Sequence, residues 1–94
     1  MDIAKSDIVK SAAGRDKGKF FFVLETEGEF LLLADGRTRR LERPKRKKRR
    51  HVEFVAAPQA RVAEKIRCGE QITNSELRKT LAYFREVGNP DQEG

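Results

Sequence analysis

Two stretches of this chain are apolar at consecutive positions, Phe20-Phe21-Phe22-Val23-Leu24 and Leu31-Leu32-Leu33-Ala34, and each is only as long as a strand. A strand with one wet face alternates apolar and polar residues, so unbroken runs of this length predict strands covered on both faces. They place strands over residues 20–26 and 29–34, joined as a hairpin at Glu27-Gly28. Upstream, residues 6–13 with Ile8-Val9 read as a first strand. Downstream, Asp35-Gly36 reverses the chain into a short strand over residues 37–41, and Pro44, lacking an amide donor, stops pairing. Val52 and Phe54 then alternate with His51 and Glu53 in a strand over residues 51–55. Five short strands in such a span predict a small antiparallel barrel.

The periodicity changes after residue 57. Pro58 suits a first helical turn, Val62, Ala63 and Ile66 share one face, and Gly69 ends the helix. Thr73 and Glu76 have the spacing of a capping box, Ile72 and Leu77 that of a hydrophobic staple, and Leu77, Leu81 and Phe84 form a helical stripe. Gly88 and Pro90 terminate it. This helical hairpin supplies the cover that the doubly apolar strands require. The expected organisation is a barrel over residues 1–57 that includes a basic loop at 37–50, a packed helical hairpin over 58–88, and a disordered tail at 89–94.

Charge makes this picture more specific. Charged residues are 38% of the 94, against about 25% in typical domains. The net charge of +6 is unevenly spread. Residues 37–50 hold ten Lys or Arg and one acid, Glu42, which leaves the remainder at −3. A positive segment on a mildly acidic body predicts a localised polyanion-binding face. Both ends of the segment are tied to predicted strands, so its charges stand at a fixed place. A second cationic element, Gly14-Arg15-Asp16-Lys17-Gly18-Lys19, lies between the first two strands. Its two glycines permit the positive φ of a tight reversal. Asp16 is expected to pair with Arg15 or Lys17, or to cap the turn.

The stretch from Asp7 to Lys19, with Gly18 at the signature glycine, resembles the KOW motif of ribosomal and transcription-elongation proteins. Ala34-Asp35-Gly36 and Pro44-Lys45-Arg46-Lys47-Lys48 extend the similarity to the archaeal and eukaryotic large-subunit ribosomal protein fourteen family over roughly residues 3–55. Small stand-alone bacterial KOW proteins, taken to bind RNA, look similar over nearly the whole chain, including Ile72-Thr73-Asn74-Ser75-Glu76-Leu77-Arg78-Lys79. The resemblance implies an SH3-like barrel and a non-catalytic RNA-binding role, with ribosomal RNA as target and the ribosome or its proteins as partners. The residues expected to touch RNA are Arg15, Lys17, Lys19, Arg37, Arg39, Arg40, Arg43, Lys45, Arg46, Lys47, Lys48, Arg49 and Arg50. Arginines take phosphate oxygens bidentately or stack on bases, whereas lysines act as point charges.

Other readings are weaker. No Ser-His-Asp or Cys-His grouping, nucleotide-binding glycine loop or metal-ligand spacing occurs, so neither enzyme, cofactor, metal nor small-molecule substrate is expected. Phe20, Phe21 and Phe22 are expected in the core rather than as base-stacking platforms, Tyr83 as amphipathic packing, Cys68 as a small packing residue and His51 at a strand edge. Glu25, Glu27 and Glu29 read as one solvent-facing acidic row. A lone cysteine, no apolar run near the ~20 residues of a membrane span and no long apolar stretch in residues 1–5 lead to an expected cytoplasmic location. The alternative function is a protein-interaction module using the barrel or the last helix. Tethering to an anionic membrane lacks the apolar helical face or lipidation site it needs.

Overall fold

The computed structural model describes residues 2–87. Strands β1 (Ile8–Ser11), β2 (Phe20–Glu27), β3 (Phe30–Ala34), β4 (Lys45–Lys48) and β5 (Val52–Ala56) are followed by helices α1 (Arg61–Cys68) and α2 (Asn74–Val87). All strand pairs are antiparallel, in the order β4-β3-β2-β1-β5. The two edge strands, β4 and β5, are separated in sequence only by a 3-10 turn, Arg49–His51. In a flat sheet those edges would stand about 19 Å apart. The chain from Lys48 to Val52 spans at most about 14 Å, and less through a 3-10 turn. The sheet therefore curls until its edges approach, giving the small antiparallel barrel expected, with the helices after it.

Curling gives the sheet an inside and an outside, and the apolar runs serve both. Val9, Phe21, Val23, Leu31, Leu33 and Val52 fill the interior together with Ile3. Their sequence neighbours Ile8, Phe22 and Ala34 point outward and meet Val62, Ala63 and Ile66 of α1 and Leu77 and Leu81 of α2. The helical hairpin is the predicted cover. Burying Val62, Ile66, Leu77 and Leu81 contributes roughly 6–12 kcal/mol before conformational entropy is subtracted. A bulge between Val23 and Glu25 shifts the register, after which pairing with β3 continues to Glu27 and Phe30.

The helix ends follow their sequence signals. The Glu76 amide donates to Thr73 Oγ1 at 3.1 Å and the Thr73 amide to Glu76 Oε1 at 2.9 Å, which completes the capping box. Gly69 caps α1 at φ +77°, and the Glu70 amide donates to the Lys65 carbonyl. Pro58 is not in the first turn: the chain stays extended through Ala60 (φ −72°, ψ 155°), and α1 begins at Arg61. Cys68 is exposed rather than packed, because it lies half a turn from the Ile66 face. Tyr83 is also at the surface, 59% exposed, with its ring edge-on to Phe84 at 5.6 Å. Phe21 and Phe22 are fully buried, and Phe20 is partly so. His51 closes the 3-10 turn beside β5. Gly88, Pro90 and the expected tail lie outside the described residues.

The largest departure from expectation concerns residues 37–50. No strand forms at 37–41, because Asp35 consumes that segment's amides. Its Oδ1 accepts from the Arg37 and Arg39 amides, both at 2.8 Å, and its Oδ2 from the Thr38 hydroxyl. The Asp35 and Gly36 amides in turn donate to the Arg39 carbonyl. The fourth strand is instead Lys45–Lys48, inside the basic run, with Pro44 directly before it. A lysine-rich edge strand also discourages pairing with another sheet.

Candidate nucleic-acid interface

The glycine loop is a closed turn on the β1–β2 hairpin. The Gly18 amide donates to the Ser11 carbonyl and the Lys19 amide to the Asp16 carbonyl, with Gly14 and Gly18 at φ +85° and +91°. This path aims Arg15, Lys17 and Lys19 at solvent and turns Asp16 inward, where it is 7% exposed. Asp16 does not pair with Arg15 or Lys17. Its Oδ1 accepts from the Ser11 hydroxyl at 2.8 Å and from Lys47 Nζ at 3.1 Å, and Lys45 Nζ stands 3.1 Å from Oδ2 as an ion pair. Burial pushes the Asp16 carboxyl up, but Ser11, Lys45 and Lys47 together outweigh it and hold the group far below the usual carboxylate range. One carboxylate thus fastens the glycine loop to β4.

Strand alternation divides the basic run between two faces. Lys45 and Lys47 project to the glycine-loop side. Arg46 and Lys48 project to the other, where the Arg46 guanidinium lies 3.8 Å from the Phe30 ring centroid and 3.3 Å from Glu27 Oε1. Lys48 Nζ is 5.9 Å from the same ring. Lys47 is only 9% exposed, and its ammonium also donates to the Ala13 carbonyl at 2.8 Å, so it acts inside the fold. Arg49, half-buried, is held on the protein by the Gly28 and Ile3 carbonyls, to which it donates at 2.7 and 2.8 Å. Arg50 is exposed on the 3-10 turn.

The remaining cations converge. A cleft of about 290 Å³ is lined by Arg15, Lys19, Arg39 and Lys45, so the glycine loop and the 37–45 segment form one surface. A second, of about 380 Å³, has Lys19 and Arg37 on one side and Arg78 and Arg85 on the other. A third, of about 290 Å³, lies among Arg39, Arg40, Arg43 and Glu42. Thr38 lines all three, so the clefts adjoin one another around it. The structure therefore unites Arg15, Lys19, Arg37, Arg39, Arg40, Arg43 and Lys45, with Lys17 at the adjoining loop tip. It does not add Arg46 or Lys48 to that face.

This face is held rigidly. Gly36, at φ +78°, packs directly on the Asn74 carbonyl at the start of α2. The Leu41 amide donates to Asn74 Oδ1 at 2.8 Å, and Arg78 Nη1 to the Gly36 carbonyl at 2.9 Å. Asp35 remains a carboxylate anion whose oxygens hold the 37–39 turn in place. Burial raises its carboxyl, and the amides of Arg39 and Arg37 with the Thr38 hydroxyl more than reverse this, holding it below its ordinary value. Arg78 and Arg85 were not among the residues expected from sequence. Their seven-residue spacing puts them on one helical face beside the Leu77-Leu81-Phe84 stripe, and that signal was available.

Among the described residues no three His, Cys, Asp or Glu side chains gather as a metal site would require, and no helix is long and apolar enough to cross a membrane. The chain matches no family model and no curated protein.

Proposed function

We propose that this protein is a non-catalytic RNA-binding module of the KOW type that grips phosphates of structured RNA with its hollowed cationic face. The observation that carries this reading is the convergence of Arg15, Lys19, Arg39 and Lys45, from two segments distant in the chain, around one cleft. The backbone segments that carry them are anchored by Asp16 through Lys45 and Ser11 and by the α2 contacts to Gly36 and Leu41, so the two segments need not be brought together when phosphates dock. A-form RNA is recognised largely through shape, phosphates and 2′-hydroxyls, which suits a rigid basic surface. The resemblance to KOW proteins supports ribosomal RNA as the target, a ribosomal or ribosome-associated role in translation, and a cytoplasmic setting.

Fluorescence anisotropy with a labelled ribosomal RNA hairpin, titrated between 50 and 200 mM salt, tests the reading. Neutralising about six phosphates gives a slope of log affinity against log salt near −4 to −5. A flat response, or no binding at the lowest salt, contradicts it.

A further inference from the structure

The 380 Å³ cleft differs from its neighbours in chemistry as well as size. Its wall includes Phe20, the one member of the Phe20-Phe21-Phe22 run that is not fully buried. Phe20 packs one side against the helix-covered core and keeps the remainder of its surface in the cleft. Around it stand Lys19, Arg37, Arg78 and Arg85, with Asp35, an ionised carboxylate held by the 37–39 turn, as the single acid. The Arg78 guanidinium is pinned by the Gly36 carbonyl, and Ala82, being small, leaves the space open. A ring flanked by four cations, in a cleft of ligand size, matches a flat aromatic group carrying phosphates.

We propose that this cleft is a subsite for one unstacked nucleotide of the bound RNA, its base against Phe20 and its phosphates on Arg37, Arg85 and Lys19. The inference rests on the RNA-binding reading and adds a preference to it. RNA that can release a base, through a bulge or a loop, binds more tightly than an uninterrupted duplex. Arg78 is a positioning residue here, because it already ties the 35–39 turn to α2.

Two labelled RNA hairpins test this, alike in stem and loop except that one carries a single unpaired adenosine in its stem. The protein should bind the bulged hairpin about tenfold more tightly, the scale of one base–aromatic contact. Phe20→Leu keeps apolar bulk against the core and removes the ring, so the preference should fall to within about twofold. Arg85→Gln, on the helix surface, should weaken the bulged hairpin severalfold more than the paired one, and it carries the test if circular dichroism finds Phe20→Leu misfolded. Equal affinity of the wild type for the two hairpins, or a preference that survives both substitutions, overturns the subsite. Absence of binding to either hairpin at 50 mM salt overturns the RNA reading itself.

Discussion

Replacing Asp16 by Asn tests whether one carboxylate joins the glycine loop to the basic strand. The substitution preserves shape and leaves an oxygen for the Ser11 hydroxyl, but it removes the negative charge facing Lys45 and Lys47. Lys47 Nζ then keeps the Ala13 carbonyl as a partner and lacks a counter-ion at a site where the side chain is 9% exposed. Removing one partner from a buried ion pair costs about 3–5 kcal/mol, and the slight access of water here argues for about 2–4 kcal/mol. A domain of this size has about 5–14 kcal/mol in total, so urea unfolding should register a large loss and Tm should fall by about 10–20 °C. The double variant Asp16→Asn/Lys47→Met removes the stranded charge and should recover at least about 1.5 kcal/mol relative to additivity. The pH profile gives a second check. Because the folded carboxyl lies below its unfolded value, its contribution is complete above about pH 5. It declines as pH falls through the unfolded value toward the folded one. Asp16→Asn should flatten much of that acid limb, leaving the shares due to Asp35, Glu42 and Glu76, which are shifted in the same direction. A loss below about 0.5 kcal/mol, or an unchanged acid limb, would refute the clasp.

The other predictions concern the frame around the face. Gly36→Ala sets a methyl group against the Asn74 carbonyl at a positive φ and should cost about 3 kcal/mol by chemical denaturation, undocking the 35–43 segment from α2. Gly18→Ala meets no atom within 4 Å, so only the left-handed backbone is penalised and the loss should be about 1–2 kcal/mol. Glu76→Ala opens the capping box and breaks the 2.9 Å contact with Lys65, which should cost about 1 kcal/mol and speed amide exchange in the first turn of α2.

The elements most legible in the sequence were those whose local signals agreed with the tertiary arrangement. Consecutive apolar residues in β2 and β3 implied a sheet buried on both sides, and the Thr73–Glu76 pair marked the start of α2 to the residue. The misread segment was 37–50, where charge concealed a strand. A run of Lys and Arg carries no apolar alternation, so nothing local announced that Lys45 and Lys47 would face one way and Arg46 and Lys48 the other. The 37–41 strand was lost to Asp35, whose capture of three donors depends on the turn closing first. The cationic face was legible as two segments but not as a geometry. Its contribution from Arg78 and Arg85 arises only when α2 packs beside the 35–39 turn, and the withdrawal of Lys47 and Arg49 follows from acceptors far away in the chain.

Two charge-matched variants separate the hollowed face from the opposite side of β4 and the 3-10 turn after it. Arg15, Lys19 and Arg39 are replaced together by Ala in one protein, and Arg46, Lys48 and Arg50 in the other, with RNA affinity measured against salt for each. The first set should reduce the salt slope by about 2–3 and weaken binding about 100-fold at 0.1 M salt, while the second should change the slope by less than about 1. Equal losses from the two sets, or a greater loss from the second, would contradict binding through the face that Asp16 and α2 hold together.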